Sequence, residues 1–361
     1  MTAAEVRELA RECGFELAGV AAALPLPEPA RYHDWVARGM AGEMRYLSGR
    51  RAAVRDDPRN LLPEARSIVC VGKLYNTPQP LSTALNDVER GWISRYAWGD
   101  DYHDWMRAGL ERLRCGMEAR AGQGIHAKIC VDTAPLLERS YARLAGLGWI
   151  GKNTCLIHQG AGSWFFLGEL LVSLEIAPDA PPPDRCGTCR RCIDACPTAA
   201  IVPQSGRWEV DSRLCISYLT IELGSAIPEE RRGGMGGHVF GCDICQDVCP
   251  WNRQAPVTGD TAFAARHFAP PLEKLAAVGE AEFRQMFRGT PVTRARYRGF
   301  LRNVAVAMGN ARQEDFRAPL EMLAAHEDPM VAEHARWALR QWGGPPVGLS
   351  SRENSTHRNP L

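Results

Sequence analysis

The chain has 361 residues, of which 45% are hydrophobic and 24% charged, and its formal net charge is +1. These values are typical of a soluble protein with two or three domains and exclude a general affinity for polyanions, so any contact with nucleic acid must come from a local basic patch. The sequence shows no secretory leader and no apolar run of membrane-spanning length, which predicts a cytoplasmic protein.

Hydrophobic periodicity predicts an α/β (α+β) domain over residues 1–177. Continuous apolar runs of strand length predict buried strands, and period-3.6 patterns predict helices between them. The predicted helices cover residues 2–20, 31–48, 102–121 and 135–146, and the predicted strands cover residues 67–74, 125–131 and 165–176.

Asp132 directly follows the strand predicted at 125–131. Pro135 suits the first turn of a helix, so Asp132 or Thr133 could serve as the cap of that helix. The alternative is a catalytic role, because α/β proteins gather reacting side chains at the carboxyl ends of their strands. The local sequence leaves both readings open.

Residues 146–151 read Gly-Leu-Gly-Trp-Ile-Gly and match the glycine pattern of dinucleotide-binding proteins. That fingerprint requires a strand before the glycines and a helix after them. Here a predicted helix precedes and a strand-like segment follows, so we predict no nicotinamide site.

Eight of the thirteen cysteines lie between residues 186 and 249. The run Cys186–Cys196 has the spacing of bacterial ferredoxins, in which three close thiolates hold one 4Fe–4S cluster and the fourth reaches a second cluster. The run Cys242–Cys249 lacks one cysteine, and Cys215 is its obvious replacement. We assign one cluster to Cys186, Cys189, Cys192 and Cys249, and the other to Cys196, Cys215, Cys242 and Cys245.

Zinc and disulfides are the competing explanations for these cysteines. Zinc ribbons rarely place three cysteines at two-residue gaps before a Cys-Pro pair, and disulfides are not expected without a secretory context. The two-cluster segment spans residues 178–255 and resembles a ferredoxin module in its cysteine spacing.

Residues 256–342 are predicted to be helical, with two segments of similar pattern that suggest HEAT-like repeats. Arg294, Arg296, Arg298 and Arg302 precede and enter this region. Such a run is either a solvated face or a phosphate-binding patch. Residues 343–361 are polar and aperiodic, which predicts a disordered tail.

Several segments resemble the epoxyqueuosine reductase family, in family order from the N-terminus to about residue 342. They are SRYAWGDDYHDWM, VDTAPLLERSYARLAGLGWIGKNTCLI, CGTCRRCIDACPTAAI, CISYLTIE and GCDICQDVCPWN. The resemblance implies a cobalamin-dependent enzyme with two 4Fe–4S clusters that reduces epoxyqueuosine to queuosine at the wobble base of tRNA. It also implies that the electrons come from a donor of the flavodoxin or ferredoxin type and that the enzyme is a monomer.

The resemblance implies that Asp132 donates a proton to the departing oxygen, which would require a raised pKa at neutral pH. It implies that no protein histidine binds the cobalt, so we interpret His103 as a pocket or helix-start residue. The cobalamin contacts that it implies are Arg55, Arg95, Ala97, Asp132, Lys152, Asn153, Ser163 and Ser217.

A basic face containing Arg296, Arg298 and Arg302 would then hold the anticodon stem-loop. Two other functions remain in competition. A reductive dehalogenase would share the cobalamin and the clusters but would act on a small molecule, and a pure electron-transfer protein would bind no corrinoid.

Overall fold

The computed structural model of the chain describes residues 1–26 and 29–342, so the predicted tail at 343–361 lies outside the described residues. The helices and strands of the N-terminal region are α1 (Ala3–Glu12), β1 (Leu17–Ala22), α2 (Pro29–Ala37), α3 (Arg50–Val54), β2 (Ser67–Leu74), β3 (Trp92–Ile93), α4 (Tyr102–Ala121), β4 (Ala127–Cys130), α5 (Glu138–Leu144), β5 (Trp149–Ile150), β6 (Leu156–Ile157) and β7 (Phe165–Val172).

The main sheet has four strands in the order β1-β2-β7-β4, and every neighbouring pair is antiparallel. The two central strands, β2 and β7, are almost entirely buried, which explains why both read as continuous apolar runs. The mixed helix and strand content is confirmed. The parallel-sheet argument for catalytic residues at strand ends does not apply, because this sheet is antiparallel.

Two helices predicted for the N-terminal region are shorter than expected. The helix predicted over 2–20 ends at Glu12, and residues Leu17–Ala22 pair with β2 instead. The helix predicted over 31–48 ends at Ala37, because Gly39 and Gly42 both adopt a positive φ that interrupts the helix. A Cβ on Gly42 would also collide with the Tyr218 ring.

The sheet carries a hydrophobic core on each face. Helices α1 and α4 cover one face, where Val6, Leu110 and Leu170 are fully buried. Helix α5 covers the other face, against Cys70 and Leu171. Asp132 therefore lies in the connection between the edge strand β4 and the helix on this second face.

The glycine segment at 146–151 runs into a hairpin, since β5 pairs with β6 in antiparallel fashion. A helix precedes the glycines and a strand follows them, which confirms that the segment is not a dinucleotide-binding turn.

The cluster region follows with α6 (Arg191–Asp194), β8 (Ile201–Gln204), β9 (Arg207–Val210), α7 (Glu229–Arg232), β10 (His238–Phe240) and α8 (Ile244–Asp247). A π-helical turn, Tyr218–Glu222, lies between β9 and α7. Strand β10 pairs in parallel with β3, which ties this region to the N-terminal one.

The C-terminal region consists of α9 (Leu272–Ala277), α10 (Glu280–Met286), α11 (Arg296–Ala311), α12 (Arg317–Ala324) and α13 (Pro329–Arg340). Helices α11, α12 and α13 pack on one another, and α11 also packs on β10. The helical character of this region is confirmed, whereas its division into HEAT-like repeats stays a prediction. No helix within residues 1–26 and 29–342 is long and apolar enough to cross a membrane.

Candidate active site and cluster sites

The thiols assigned to the first cluster lie together in the structure. Cys186, Cys189, Cys192 and Cys249 line one cavity, which Asn153 and Trp251 also border. Burial and the neighbouring thiols raise the pKa of Cys192 to about 11. Four soft sulfur ligands around one cavity are the donor set that an iron–sulfur cluster requires.

The thiols assigned to the second cluster also lie together. Burial raises the pKa of Cys242 well above its ordinary value, and the nearby Cys215 and Cys196 thiols raise it further. The backbone N–H of Ala200 donates to Cys196 Sγ at 3.3 Å. Such N–H···S bonds stabilise thiolates and tune cluster potentials. The residues present therefore fit a second 4Fe–4S cluster.

Cys155 lies outside the cysteine motifs, and its side chain hydrogen-bonds with that of Cys245. It lies 31 positions before Cys186, the first residue of the first ligand run, and no spacing pattern connects it to the cluster cysteines. Only the fold places it beside the second group.

Four of the predicted cobalamin contacts lie against the cluster region. Lys152 Nζ donates to the carbonyls of Gly187 and Cys189 at 2.6 and 2.8 Å. Asn153 Nδ2 donates to the carbonyl of Cys245 at 3.3 Å. Ser163 Oγ accepts a hydrogen bond from Asn252, and the Ser217 side chain hydrogen-bonds with Cys215. Their contact with cobalamin stays a prediction.

Three further predicted contacts lie near α4 and α3. The Arg95 guanidinium is buried and donates to the carbonyls of Thr77, Gln79 and Pro80. The Arg95 guanidinium therefore binds backbone carbonyls inside the protein, although its Nε has no partner among the described residues. Ala97 is fully buried, and Arg55 is buried with its guanidinium 5.6 Å from the centre of the Tyr32 ring. These contacts also stay predictions.

Asp132 is not the cap of α5. That helix begins at Glu138, and its N-cap position is Leu137. Asp132 adopts a left-handed conformation with φ of 49°, which is costly for a residue other than glycine. Its backbone N–H donates to Glu138 Oε1 at 2.5 Å, so the first residue of α5 holds this turn.

The Asp132 carboxylate is paired with His103. The distance between His103 Nε2 and Asp132 Oδ2 is 3.3 Å, and His103 Nδ1 lies 2.6 Å from Asp101 Oδ1. Burial lowers the pKa of His103, but its bonds to the two carboxylates outweigh burial and raise the pKa to about 9. At neutral pH the imidazole is therefore protonated, and both of its ring nitrogens are engaged.

Arg294 reaches Asp132 from the C-terminal region. Arg294 Nη1 lies 3.6 Å from Asp132 Oδ2, and its Nη2 lies 2.8 Å from Glu222 and 3.3 Å from the Tyr46 hydroxyl. Burial raises the pKa of Asp132, but His103 and Arg294 outweigh burial and hold it below its ordinary value. The expectation of a raised pKa at Asp132 is therefore wrong for this structure, since the proton resides on His103.

Two buried carboxyls lie behind the Asp132 turn. Burial and the charge of Asp132 raise the pKa of Glu138 to about 8. Glu169, in the centre of β7, is fully buried, and neither of its oxygens has a partner among the described residues. Burial raises the pKa of Glu169 well above its ordinary value, and the charges of Glu138 and Asp132 raise it further. Sequence reasoning missed both residues, because each falls inside an apolar pattern.

The three arginines predicted to bind RNA differ in position. Arg296 and Arg298 are exposed. Arg302 is fully buried and donates to the carbonyls of Leu219, Leu223 and Ser225. The prediction that Arg302 contacts RNA is wrong, because its guanidinium joins α11 to the π-helical turn.

Comparison with known proteins agrees with this arrangement. A family described as a 4Fe–4S double cluster binding domain matches residues 185–252, and one described as epoxyqueuosine reductase QueG, DUF1730, matches residues 55–133. An epoxyqueuosine reductase of Xanthomonas campestris is 42% identical, with 94% of this chain and 96% of the relative covered. One from Pseudomonas aeruginosa is 40% identical, with 94% of each covered.

The chain belongs to the epoxyqueuosine reductase family. Among solved structures, an epoxyqueuosine reductase bound to an epoxyqueuosine-modified stem-loop of tyrosine tRNA superimposes with a TM-score of 0.82. That protein is 28% identical, and the alignment covers 94% of this chain and 89% of the other. The resemblance noted in the sequence is thus confirmed over nearly the whole epoxyqueuosine reductase fold.

Proposed function

We propose that this protein reduces epoxyqueuosine to queuosine in the anticodon of tRNA. One observation carries the proposal: the ion pair of Asp132 and His103 opens to solvent beside Arg294, which comes from the helical region. The Asp132 side chain is 41% exposed, whereas its histidine partner is 18% exposed. A proton-carrying pair thus faces the side from which an RNA loop held by the C-terminal helices would arrive.

Tyr96 lies near both Asp132 and the second cysteine group. Burial raises the pKa of Tyr96, Arg294 lowers it, and the charges of Asp132 and Asp243 raise it further. Tyr96 also packs against the hydrophobic core that Cys215 and Cys242 border. Electrons carried by two 4Fe–4S clusters would therefore arrive near Tyr96. A bound cobalamin would supply the redox chemistry between the clusters and the substrate.

Cobalamin supplies a strongly nucleophilic, low-potential cobalt when it is bound. The chain fits that group in one respect that the structure shows: both ring nitrogens of His103 are engaged by carboxylates, so no free imidazole is offered to the cobalt there. The residues that would hold cobalamin are those of the 95–98 segment, Arg55, Lys152, Asn153, Ser163 and Ser217.

The reaction consumes two electrons and two protons, because the epoxide oxygen leaves as water. His103 Nε2 holds one proton against Asp132 Oδ2, and that proton can pass through the carboxylate to the departing oxygen. Asp132 is thus the group that touches the substrate, and His103 supplies it. Positioned proton donors of this kind contribute roughly 10²–10⁴ in rate.

Residues 256–342 are proposed to form a HEAT-like domain that binds the anticodon stem-loop. Arg296 and Arg298 are exposed at the start of α11, two and four residues after the arginine that reaches Asp132. Basic side chains at this position would contact RNA phosphates, with the salt dependence that such contacts carry. The protein would then have three domains: a cobalamin domain over 1–177, a cluster domain over 178–255 and this RNA-binding domain. We propose that it acts on tRNA in the cytoplasm.

The test is an anaerobic reaction of the reconstituted protein with cobalamin, a reductant and tRNA containing epoxyqueuosine. We expect the nucleoside to lose one oxygen by mass. Asp132→Asn should lower turnover by roughly 10²–10⁴ with unchanged iron content. Equal turnover in that variant would remove the proton-donor role, while reduction of a halogenated compound in place of the nucleoside would overturn the function. The dehalogenase alternative is not favoured, because relatives that cover 94% of the chain are epoxyqueuosine reductases.

A further inference from the structure

An open hollow of about 450 Å³ lies on the surface of the cluster region. Its wall comes from the two short helices that carry cluster ligands, α6 and α8, which contact each other. The residues lining it are Arg191, Asp194, Ala195, Asp247, Val248 and Arg253. Three of these are sequence neighbours of the proposed ligands Cys192, Cys196 and Cys249.

The hollow borders ligand turns of both cysteine groups, of which the first is the outer one. Cys186 and Cys249 pack only in a small cluster with Trp149, Ile157 and Trp251. The second group packs more deeply, since Cys215 and Cys242 lie against the largest hydrophobic core of the described residues. That core also contacts Tyr96, which lies near Asp132. Electrons that enter at the hollow would therefore travel inward, from the first cluster to the second.

The lining of the hollow carries two arginines and two aspartates, and both aspartates are already engaged by other side chains. Arg191 and Arg253 are exposed, and neither forms an ion pair with any residue in the described part of the chain. Arg190 adds a third guanidinium beside them, 3.5 Å from Asp194. Asp247 is 8% exposed, and its Oδ2 accepts from the Ser82 hydroxyl and the Thr83 N–H, so it lies at the base of the hollow.

We infer that this hollow is the docking face for an acidic one-electron carrier protein. The inference rests on the proposed function, which requires two electrons for each turnover and an external source for them. Two successive encounters supply them: each reduced carrier gives one electron to the outer cluster and leaves oxidised. A negatively charged carrier is attracted by unpaired guanidinium groups around an exposed cluster, and such attraction mainly raises the association rate.

A nucleic acid would also be attracted by arginines, but the position of the hollow favours the carrier. The hollow lies directly over cluster-ligand turns, whereas the exposed arginines of α11 lie in the segment that reaches Asp132. Contact with the turns that hold a cluster shortens the distance an electron must cross, which favours an electron carrier.

The experiment compares the wild-type holoenzyme with Arg191→Glu and Arg253→Glu. Arg11→Glu is the matched control, because Arg11 is exposed on α1, which packs on β1 and α4. Two electron sources are used with each protein, a flavodoxin of net negative charge and reduced methyl viologen. Binding of oxidised flavodoxin is measured separately, without turnover, at about 50 mM and 500 mM salt.

We expect each charge reversal to weaken flavodoxin binding about tenfold at low salt and to raise the KM for flavodoxin similarly, with a smaller effect at high salt. Viologen-driven turnover, iron content and stem-loop binding should match the wild type, and Arg11→Glu should change none of these values. The milder Arg253→Gln keeps the test valid if a reversal prevents folding.

The inference would be overturned if Arg191→Glu and Arg253→Glu both bound flavodoxin as the wild type does. It would also be overturned if these variants lost binding of the tRNA stem-loop and kept binding of flavodoxin. Failure of the proposed function would look different, because the wild type would then show no turnover with viologen either. The binding measurement would still decide whether the hollow accepts an acidic carrier.

Discussion

Seven of the eight proposed cluster ligands come from two short runs of sequence, Cys186–Cys196 and Cys242–Cys249. The site around Asp132 instead takes one side chain from each of several distant segments, among them Tyr46, His103 and Arg294. Most ligands of an iron–sulfur cluster can come from one loop, because closely spaced cysteines reach the same cluster. A proton-donating site needs opposed charges in contact, and in this chain only long-range folding brings them together.

The prediction with the largest expected effect tests which cysteines bind the clusters. Cys245→Ser should remove one cluster, so that iron content falls by about half and turnover by at least 10³-fold, because the electron path is broken. Cys155→Ser is the matched control, since Cys155 hydrogen-bonds with Cys245 but is not assigned as a ligand. Iron analysis of both variants decides the ligand set, and a loss of iron in Cys155→Ser would show that the assignment is wrong.

The second prediction compares the contributions of Arg302 and Arg298 to stability. Their positions in the sequence pattern are similar, but only Arg302 is buried. Arg302→Met should lower the free energy of unfolding by roughly 2–4 kcal/mol, because the backbone carbonyls of Leu219, Leu223 and Ser225 lose a buried donor. Arg298→Met, at an exposed position, should change it by less than about 0.5 kcal/mol. Chemical denaturation measures both values. Equal stability of the two variants would contradict the buried role of Arg302.

The third effect tests the charge balance at Asp132 through pH. Because the pKa of His103 is raised to about 9, kcat/KM should be level near neutral pH and should fall above pH 9. His103→Gln should lower activity and abolish that alkaline limb, whereas His126→Gln, at an exposed site, should keep it. A wild-type profile that stays level beyond pH 10 would contradict the role of His103 as the proton store.

The same pKa shift has a consequence for folding. A raised pKa in the folded state means that protonated His103 stabilises the fold fully below its ordinary pKa of 6.5. That contribution is lost as the pH rises through about 9. The difference in unfolding free energy between wild type and His103→Gln should therefore shrink between pH 6.5 and 9, as measured by denaturation at several pH values.

The smallest effect concerns RNA contacts. Arg298→Gln should weaken stem-loop binding severalfold and reduce the slope of log affinity against log salt by about 1, because one phosphate contact is lost. Arg336→Gln, on α13, serves as the control. Binding titrations at several salt concentrations test this, and an unchanged slope would remove Arg298 from the interface.

The sequence by itself determined those features that depend on residues close together along the chain. The cysteine spacing, the buried strands β2 and β7 and the helix α4 were readable because each depends on residues close along the chain. The family was readable for the same reason, since its motifs are contiguous segments. The assignment of the eight cysteines to two clusters stays a prediction, and the thiols of each group lie near one another in the structure.

Only the tertiary structure decided the antiparallel order of the sheet, the strand β1, the burial of Arg302 and the location of the proton on His103. Each depends on contacts between distant parts of the chain: Arg294 and Tyr46 are 248 residues apart. A pKa or a buried guanidinium is set by the charges and carbonyls that surround it in space. Sequence patterns record what a residue is, whereas the fold determines which groups face it.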